Sequence, residues 1–161
     1  MKKILFFTLI FVCAATVVFA VRDNGGETVE LYVTDAEMMR LISIDTYTKA
    51  DTPPKKAEYV INRLIEGFDD NPKIRRTIPK INGCMTVKVK DGTATVNISE
   101  KMAENHPDGR DLEKLTVYSV VNSLLSIDGI ERVKFTVGGK TRKDFMGYID
   151  MRESFTVIET V

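Results

Sequence analysis

The chain has no tryptophan, one histidine, two cysteines and no net charge. Each scarcity excludes something. With His106 as the sole histidine, in the polar stretch Asn105-His106-Pro107-Asp108, a nucleophile activated by imidazole has no support, and His106 reads as a surface residue. No Gly-x-Ser-x-Gly elbow occurs, so a hydrolase of that kind is not expected. One histidine and one cysteine beyond the N-terminal segment cannot build a structural zinc site. Cys84 is the single cysteine after residue 21, which rules out an intramolecular disulfide there and leaves a half-buried thiol beside a strand. The 23 basic and 23 acidic residues cancel and no five like charges are consecutive, so the basic stripe of a nucleic-acid binder is missing from the sequence. The absence of tryptophan removes a common anchor for sugars.

What is abundant is apolar sequence at the start. Lys2 and Lys3 precede residues 4–21, which run for 18 positions without a charge. At about 1.5 Å per residue such a helix reaches about 27 Å, close to a hydrocarbon core of about 30 Å. Val18-Phe19-Ala20 offers small residues where a signal peptidase cuts. Residues 1–21 therefore read as a signal peptide or an uncleaved membrane anchor, and both place the rest outside the cytoplasm because Lys2 and Lys3 stay inside. Lipidation of Cys13 is disfavoured by Val12 before it and by the apolar residues after it. Residues 22–27, with two glycines, read as a linker.

The remainder is long enough for one domain, and 43% hydrophobic with 29% charged residues is a globular composition. Val29, Leu31 and Val33 alternate with polar residues over 28–33, and a second strand is expected over 41–47. Thr52 and Pro53 start a helix whose stripe is Ala57, Val60, Ile61, Leu64, Ile65 and Phe68, with Gly67 ending it. Residues 69–83 read as a loop. Met85, Val87 and Val89, then Ala94, Val96 and Ile98, form a hairpin around Asp91-Gly92, a dipeptide that tolerates the positive φ of a tight turn. Residues 99–110 read as a polar connection. Residues 111–125 hold no Gly or Pro and start acidic, which predicts a helix despite the strand-favouring run 116–121. Val133, Phe135 and Val137 mark a last strand, with edge strands expected at 145–149 and 155–158. The order β-β-α-β-β-α-β predicts an α+β fold: a small mixed sheet with two helices on one face.

The remaining motifs carry no chemistry. Gly139-Lys140-Thr141 lacks the glycine that a phosphate loop needs at 134, where Lys134 stands, and reads as a hairpin turn. Asp108-Gly109-Arg110-Asp111 departs from calcium-loop spacing and reads as a helix start. Asp69-Asp70 reads as a solvated loop pair. No catalytic, cofactor-binding or metal-ligating residue is expected, and no cofactor.

Leu31-Tyr32-Val33, the helix 57–67 with Leu64 before its glycine, Ile78-Pro79, the hairpin from Val87 through Asp91-Gly92 to Ile98-Ser99, and Ile130 to Val137 with the turn before Lys140 together resemble the GerM domain of sporulation and spore germination. The resemblance covers residues 28 to 147. It places the domain at 28–150 and leaves 151–161 as a tail. It implies an extracytoplasmic, non-catalytic module working in assemblies around the developing spore. The chain departs from the family in three ways: no evident lipoprotein signal, Asn97 where an aspartate is common, and one domain where some members have two. The expected function is that of a protein-interaction module. Its partner would be an extracytoplasmic or membrane protein or copies of itself, and the 155–161 tail is one candidate pairing strand. The alternative is a small-ligand or cell-wall binder with a pocket between the helices and the 69–83 loop.

Overall fold

The computed structural model describes residues 26–161; the expected leader at 1–21, Cys13 and most of the 22–27 linker lie outside them. The fold is α+β. In chain order the elements are β1 (Glu27–Asp35), β2 (Leu41–Thr48), α1 (Pro53–Glu66), β3 (Ile74–Arg75), β4 (Met85–Lys90), β5 (Thr93–Ile98), α2 (Glu100–Asn105), α3 (Arg110–Leu125) and β6 (Arg132–Val137). The strands divide into two three-stranded sheets, β2-β1-β3 and β4-β5-β6, where a single mixed sheet was expected. The first is antiparallel throughout, and the second joins an antiparallel hairpin to the parallel pair β5·β6. Counting strands from sequence does not reveal the division, because pairing is decided across the chain rather than along it.

The local reasons are those of the sequence. Asp91 (φ 48°) and Gly92 (φ 69°) both take the left-handed conformation, as a two-residue hairpin turn requires. Pro53 occupies the first turn of α1, and Thr52 stands at its N-cap in extended conformation, although its side chain makes no capping bond. Ala57, Val60, Ile61, Leu64 and Ile65 are the buried face of α1. Burying a side chain of that size contributes about 1.5–3 kcal/mol, against a few tenths each for Lys55 and Lys56 near the positive end of the helix dipole. At the other end, Arg76 donates to the carbonyls of Ile65 (2.6 Å) and Glu66 (2.5 Å) and to Asp69 (2.7 Å). Gly67, at φ 72°, lets that guanidinium come against the backbone where a Cβ would collide with it.

Helix α3 is central. It lies along β1 and touches α1 and β6, and buried residues surround it almost completely: Leu115, Thr116, Val117, Ser119, Val120, Val121, Asn122, Ser123 and Leu124. A helix buried on all sides needs no amphipathic stripe, which is how the strand-favouring run 116–121 is accommodated. Its buried polar side chains satisfy the backbone of its neighbours. The Tyr32 amide donates to Ser123 Oγ (2.8 Å), Ser119 Oγ donates to the Tyr32 carbonyl (2.6 Å) and Ser126 Oγ donates to the Glu30 carbonyl (3.1 Å). The edge of β1 that β3 leaves open is therefore closed by two hydroxyls of α3 and that of its C-cap residue Ser126.

Two short elements fall where connections were expected. Ser99 Oγ accepts the Met102 amide (3.1 Å) and caps α2, whose Met102 is fully buried; six residues are too few to display a period. β3 pairs only with Thr34 and Asp35. The expected C-terminal edge strands are not formed. Residues 145–149 are a loop whose Met146 and Tyr148 amides are held by the Glu113 carboxylate, at 3.3 and 2.8 Å. Of the 155–158 segment only Phe155 pairs, as an isolated bridge to Val133. Beyond it, Asn122 exchanges two hydrogen bonds with the Glu159 backbone, and the Leu41 amide of β2 donates to the Val161 carbonyl. The tail is thus tied to its own domain at Phe155, Glu159 and Val161, while Val157 and Ile158 stay exposed.

Candidate functional site

The groups that could carry chemistry are consumed by structure. His106 is buried, 5% exposed, and is not the surface residue its polar neighbours suggest. Its Nδ1 lies 2.8 Å from the Pro107 carbonyl, which can only accept, so the proton sits on Nδ1 and Nε2 accepts from Thr116 Oγ1 at 2.8 Å. Phe145 packs edge-on against the ring at 5.1 Å. Burial holds the imidazole below its ordinary pKa, opposed in part by the Pro107 carbonyl. Cys84 is fully buried rather than half-buried, with its thiol against the Pro79 carbonyl (3.8 Å), and burial raises its pKa away from the reactive thiolate. Glu113, fully buried, accepts the two loop amides described above.

The sequence motifs land as turns and caps. Gly138 and Gly139 have positive φ, and Val137 bridges Lys140, so Gly139-Lys140-Thr141 belongs to a tight turn. Gly109 precedes the first turn of α3, with Asp111 and Glu113 in that turn. Asp69 pairs with Arg76 and Lys80. Asn97 Oδ1 accepts from Thr136 Oγ1 (2.9 Å) and the Gly139 amide (2.7 Å); an aspartate oxygen would accept the same two bonds. Among the described residues, no three His, Cys, Asp or Glu side chains are placed to hold a metal ion.

The space between α1 and the 69–83 loop is a cavity of about 40 Å³ lined by Val33, Leu64, Phe68, Ile74 and Ile78. Ligand pockets run to several hundred Å³, and this volume admits only a few water molecules.

What remains is a surface. The residues of β4, β5 and β6 that point away from the core form a grid fixed by strand register. Thr86, Asn97 and Thr136 make one row, Lys88, Thr95 and Lys134 the next, and Lys90, Thr93 and Arg132 the third. The opposite face is the apolar one, with Ala94, Val96, Ile98, Val133, Phe135 and Val137 all buried. The grid holds four cations and no carboxylate. Lys88, Lys90 and Lys134 make no ion pair among the described residues, and Arg132 has only a 3.9 Å contact to Glu131 at the rim. Reading charge along the chain misses this patch because it is assembled from two strands some 40 positions apart. The visible signal is the spacing of Lys88 and Lys90, and of Arg132 and Lys134, two apart within strands.

A second charged feature lies where β1 and β2 meet the start of α1 and the end of α3. It is a groove of about 390 Å³ lined by Glu27, Glu30, Asp45, Asp128 and Lys56. Lys56 is paired with Glu27. Glu30 accepts from Tyr32 Oη (3.2 Å), while Glu30, Asp45 and Asp128 have no cationic partner among the described residues.

No curated protein matches the chain. Among solved structures, the tandem GerMN domains of the sporulation protein GerM from Bacillus subtilis are similar at TM-score 0.63 and 19% identity, over 81% of this chain and 46% of that one. The chain thus spans about half the tandem. The first GerMN domain of the same protein matches at TM-score 0.59 and 20% identity, covering 82% of this chain and 97% of that one. A candidate lipoprotein from Clostridium perfringens matches at TM-score 0.59 and 17% identity, over 84% and 91%. At these identities the likeness is one of fold. The sequence model of the Germane family, described as sporulation and spore germination, matches residues 18–143, and on that match the chain belongs to this GerM-domain family.

Proposed function

We propose that this protein is a non-catalytic interaction module outside the cytoplasm, working in assembly of the cell or spore envelope during sporulation or germination. Three things support the reading. The family is one of sporulation and spore germination. The apolar leader expected at residues 4–21 would export or tether the domain, and a relative in fold is a candidate lipoprotein. The observation that carries most weight is the outer face of β4-β5-β6, with Lys88, Lys90, Arg132 and Lys134 unopposed by any carboxylate on that face. Four like charges on one exposed face repel each other and are relieved by an anionic partner. The groups that could instead act on a substrate, His106, Cys84 and Glu113, are buried and hydrogen-bonded into the fold.

A photo-cross-linking amino acid placed at Lys134 in sporulating cells tests the proposal, with exposed Glu104 as the control position. Discrete protein adducts are expected from 134 and not from 104. Equal adducts from both positions, or turnover of a substrate by the purified protein, would overturn it.

A further inference from the structure

The outer edge of β2 is long and unguarded, unlike the other sheet edges. The far edge of β1 is closed by β3 and by the hydroxyls of Ser119, Ser123 and Ser126. That of β6 meets Phe155 at Val133 and Lys140 at Val137. β4 has α1 against it and carries Lys88 and Lys90, and charged side chains guard an edge. β2 has none of these. It runs for eight residues in unbroken register with β1, without proline or bulge, and Asp45 is its single charge.

Two contacts fix the direction of its backbone groups. The Leu41 amide donates to the Val161 carbonyl, and the Tyr47 carbonyl accepts from Tyr59 Oη, so both residues turn away from β1. Antiparallel pairing alternates, so Ser43 and Asp45 between them do the same. Their partners Tyr32 and Glu30 agree, since both turn the other way, to the serines. Among the described residues, the amides of Ser43, Asp45 and Tyr47 and the carbonyls of Leu41, Ser43 and Asp45 bond to no protein group. They line an edge of about 20 Å, bounded by Val161 at one end and Tyr59 at the other.

The two faces of β2 specify what fits beside it. On the inner face, Ile42 and Ile44 pack at the rim of the core and stay half-buried. On the outer face, exposed Asp45 stands directly opposite Glu30, and like charges opposed across a ladder repel. Lys56, which lines the groove beside them, is already paired with Glu27.

We propose that β2 takes an added strand from another protein, an extended segment in which apolar residues alternate with basic ones. Its backbone pairs with Ser43 and Asp45, its apolar side chains cover Ile42 and Ile44, and a cation settles beside Asp45 and Glu30. The edge is separate from the cationic grid and adds a second contact surface to the interaction module. Pairing β2 with β2 of a second copy does not meet this description, because that strand brings a carboxylate and no cation.

Hydrogen exchange across residues 41–47 tests the proposal in the full chain, kept soluble in a nonionic detergent. The probe is a peptide of three Val-Lys repeats, blocked at both ends and titrated to about 1 mM. It should slow exchange in this segment of the wild type. Ser43→Pro removes an amide that β1 does not use, so the β1 ladder persists, and binding should weaken about tenfold. Asp45→Lys should weaken it about fivefold and prefer a peptide of Val-Glu repeats at the same segment. Thermal unfolding checks that both variants fold; if Ser43→Pro does not, the exchanged preference of Asp45→Lys decides.

No slowing in the wild type, or undiminished slowing in the folded variants, would overturn the proposal. Slowing that grows with protein concentration in the absence of peptide would also overturn it, by placing a second copy on the edge. None of these results bears on the cross-linking test at Lys134, so the interaction-module reading stands or falls separately.

Discussion

The two sheets handle polar groups in opposite ways. In β2-β1-β3, the open edge of β1 is closed from within by Ser119 and Ser123 of α3 and by Ser126 at its C-cap. In β4-β5-β6, one face is entirely apolar and the other carries four cations that the domain leaves to solvent, with Thr93, Thr95, Asn97 and Thr136 half-buried between them. Polar residues of the first kind stabilise the fold, because a buried donor or acceptor left without a partner costs about 1–3 kcal/mol. Those of the second kind contribute little to stability and are free to be used by another molecule. Mutation should separate the two classes.

The largest loss is expected at Glu113. Glu113→Ala leaves the Met146 and Tyr148 amides without their acceptor and opens space in a filled site, which should cost about 3 kcal/mol in urea unfolding. Glu113→Gln, which keeps one acceptor oxygen, should recover part of it. If Glu113→Ala unfolds at the wild-type midpoint, the carboxylate does not hold the loop. The double change Ser119→Ala and Ser123→Ala strips both partners from the Tyr32 backbone and should cost about 2 kcal/mol, with faster hydrogen exchange at the Tyr32 amide.

A smaller and pH-dependent loss is expected at His106. Its folded pKa is depressed by burial, so the unfolded chain binds a proton more readily than the folded one. The stability gained from keeping the ring neutral is complete above the unfolded pKa of about 6.5 and is lost as pH falls through the folded value. Comparing wild type with His106→Gln at about pH 7.5 and about pH 5 isolates this term: the wild type should lose more on acidification. Equal losses would mean that the ring is protonated as easily inside as outside. The smallest effect belongs to the grid. Lys88→Glu with Lys134→Glu should change stability by no more than about 0.5 kcal/mol, and a cost above about 2 kcal/mol would place those lysines among the structural residues and erase the contrast.

Much of this was legible along the chain. The stripe of α1, the Asp91-Gly92 turn and the alternation in β4, β5 and β6 rest on interactions within a few residues, so their periods are written in the sequence. The buried polar groups were not. His106 sits between an asparagine and a proline in a polar stretch, and nothing local shows that Phe145 and Thr116 come to enclose it. The serines of α3 look like ordinary helix positions until β1, some 90 positions earlier, is laid against them. The candidate surface was half visible: lysines two apart lie on one side of a strand, but only the parallel pairing of β5 with β6 sets Lys134 level with Lys88.

By itself the sequence determined the α+β class, the helices α1 and α3, the hairpin and the scarcity of residues for covalent or metal chemistry, because propensity, period and turn chemistry act over short distances. Tertiary structure alone decided that the strands form two sheets, that the tail bonds back to its own domain at Phe155, Glu159 and Val161, and that four cations gather on one sheet face with no carboxylate among them. Those outcomes depend on which distant segments meet, and that is settled by burying apolar faces together while buried polar side chains, Thr34 Oγ1 excepted, find partners.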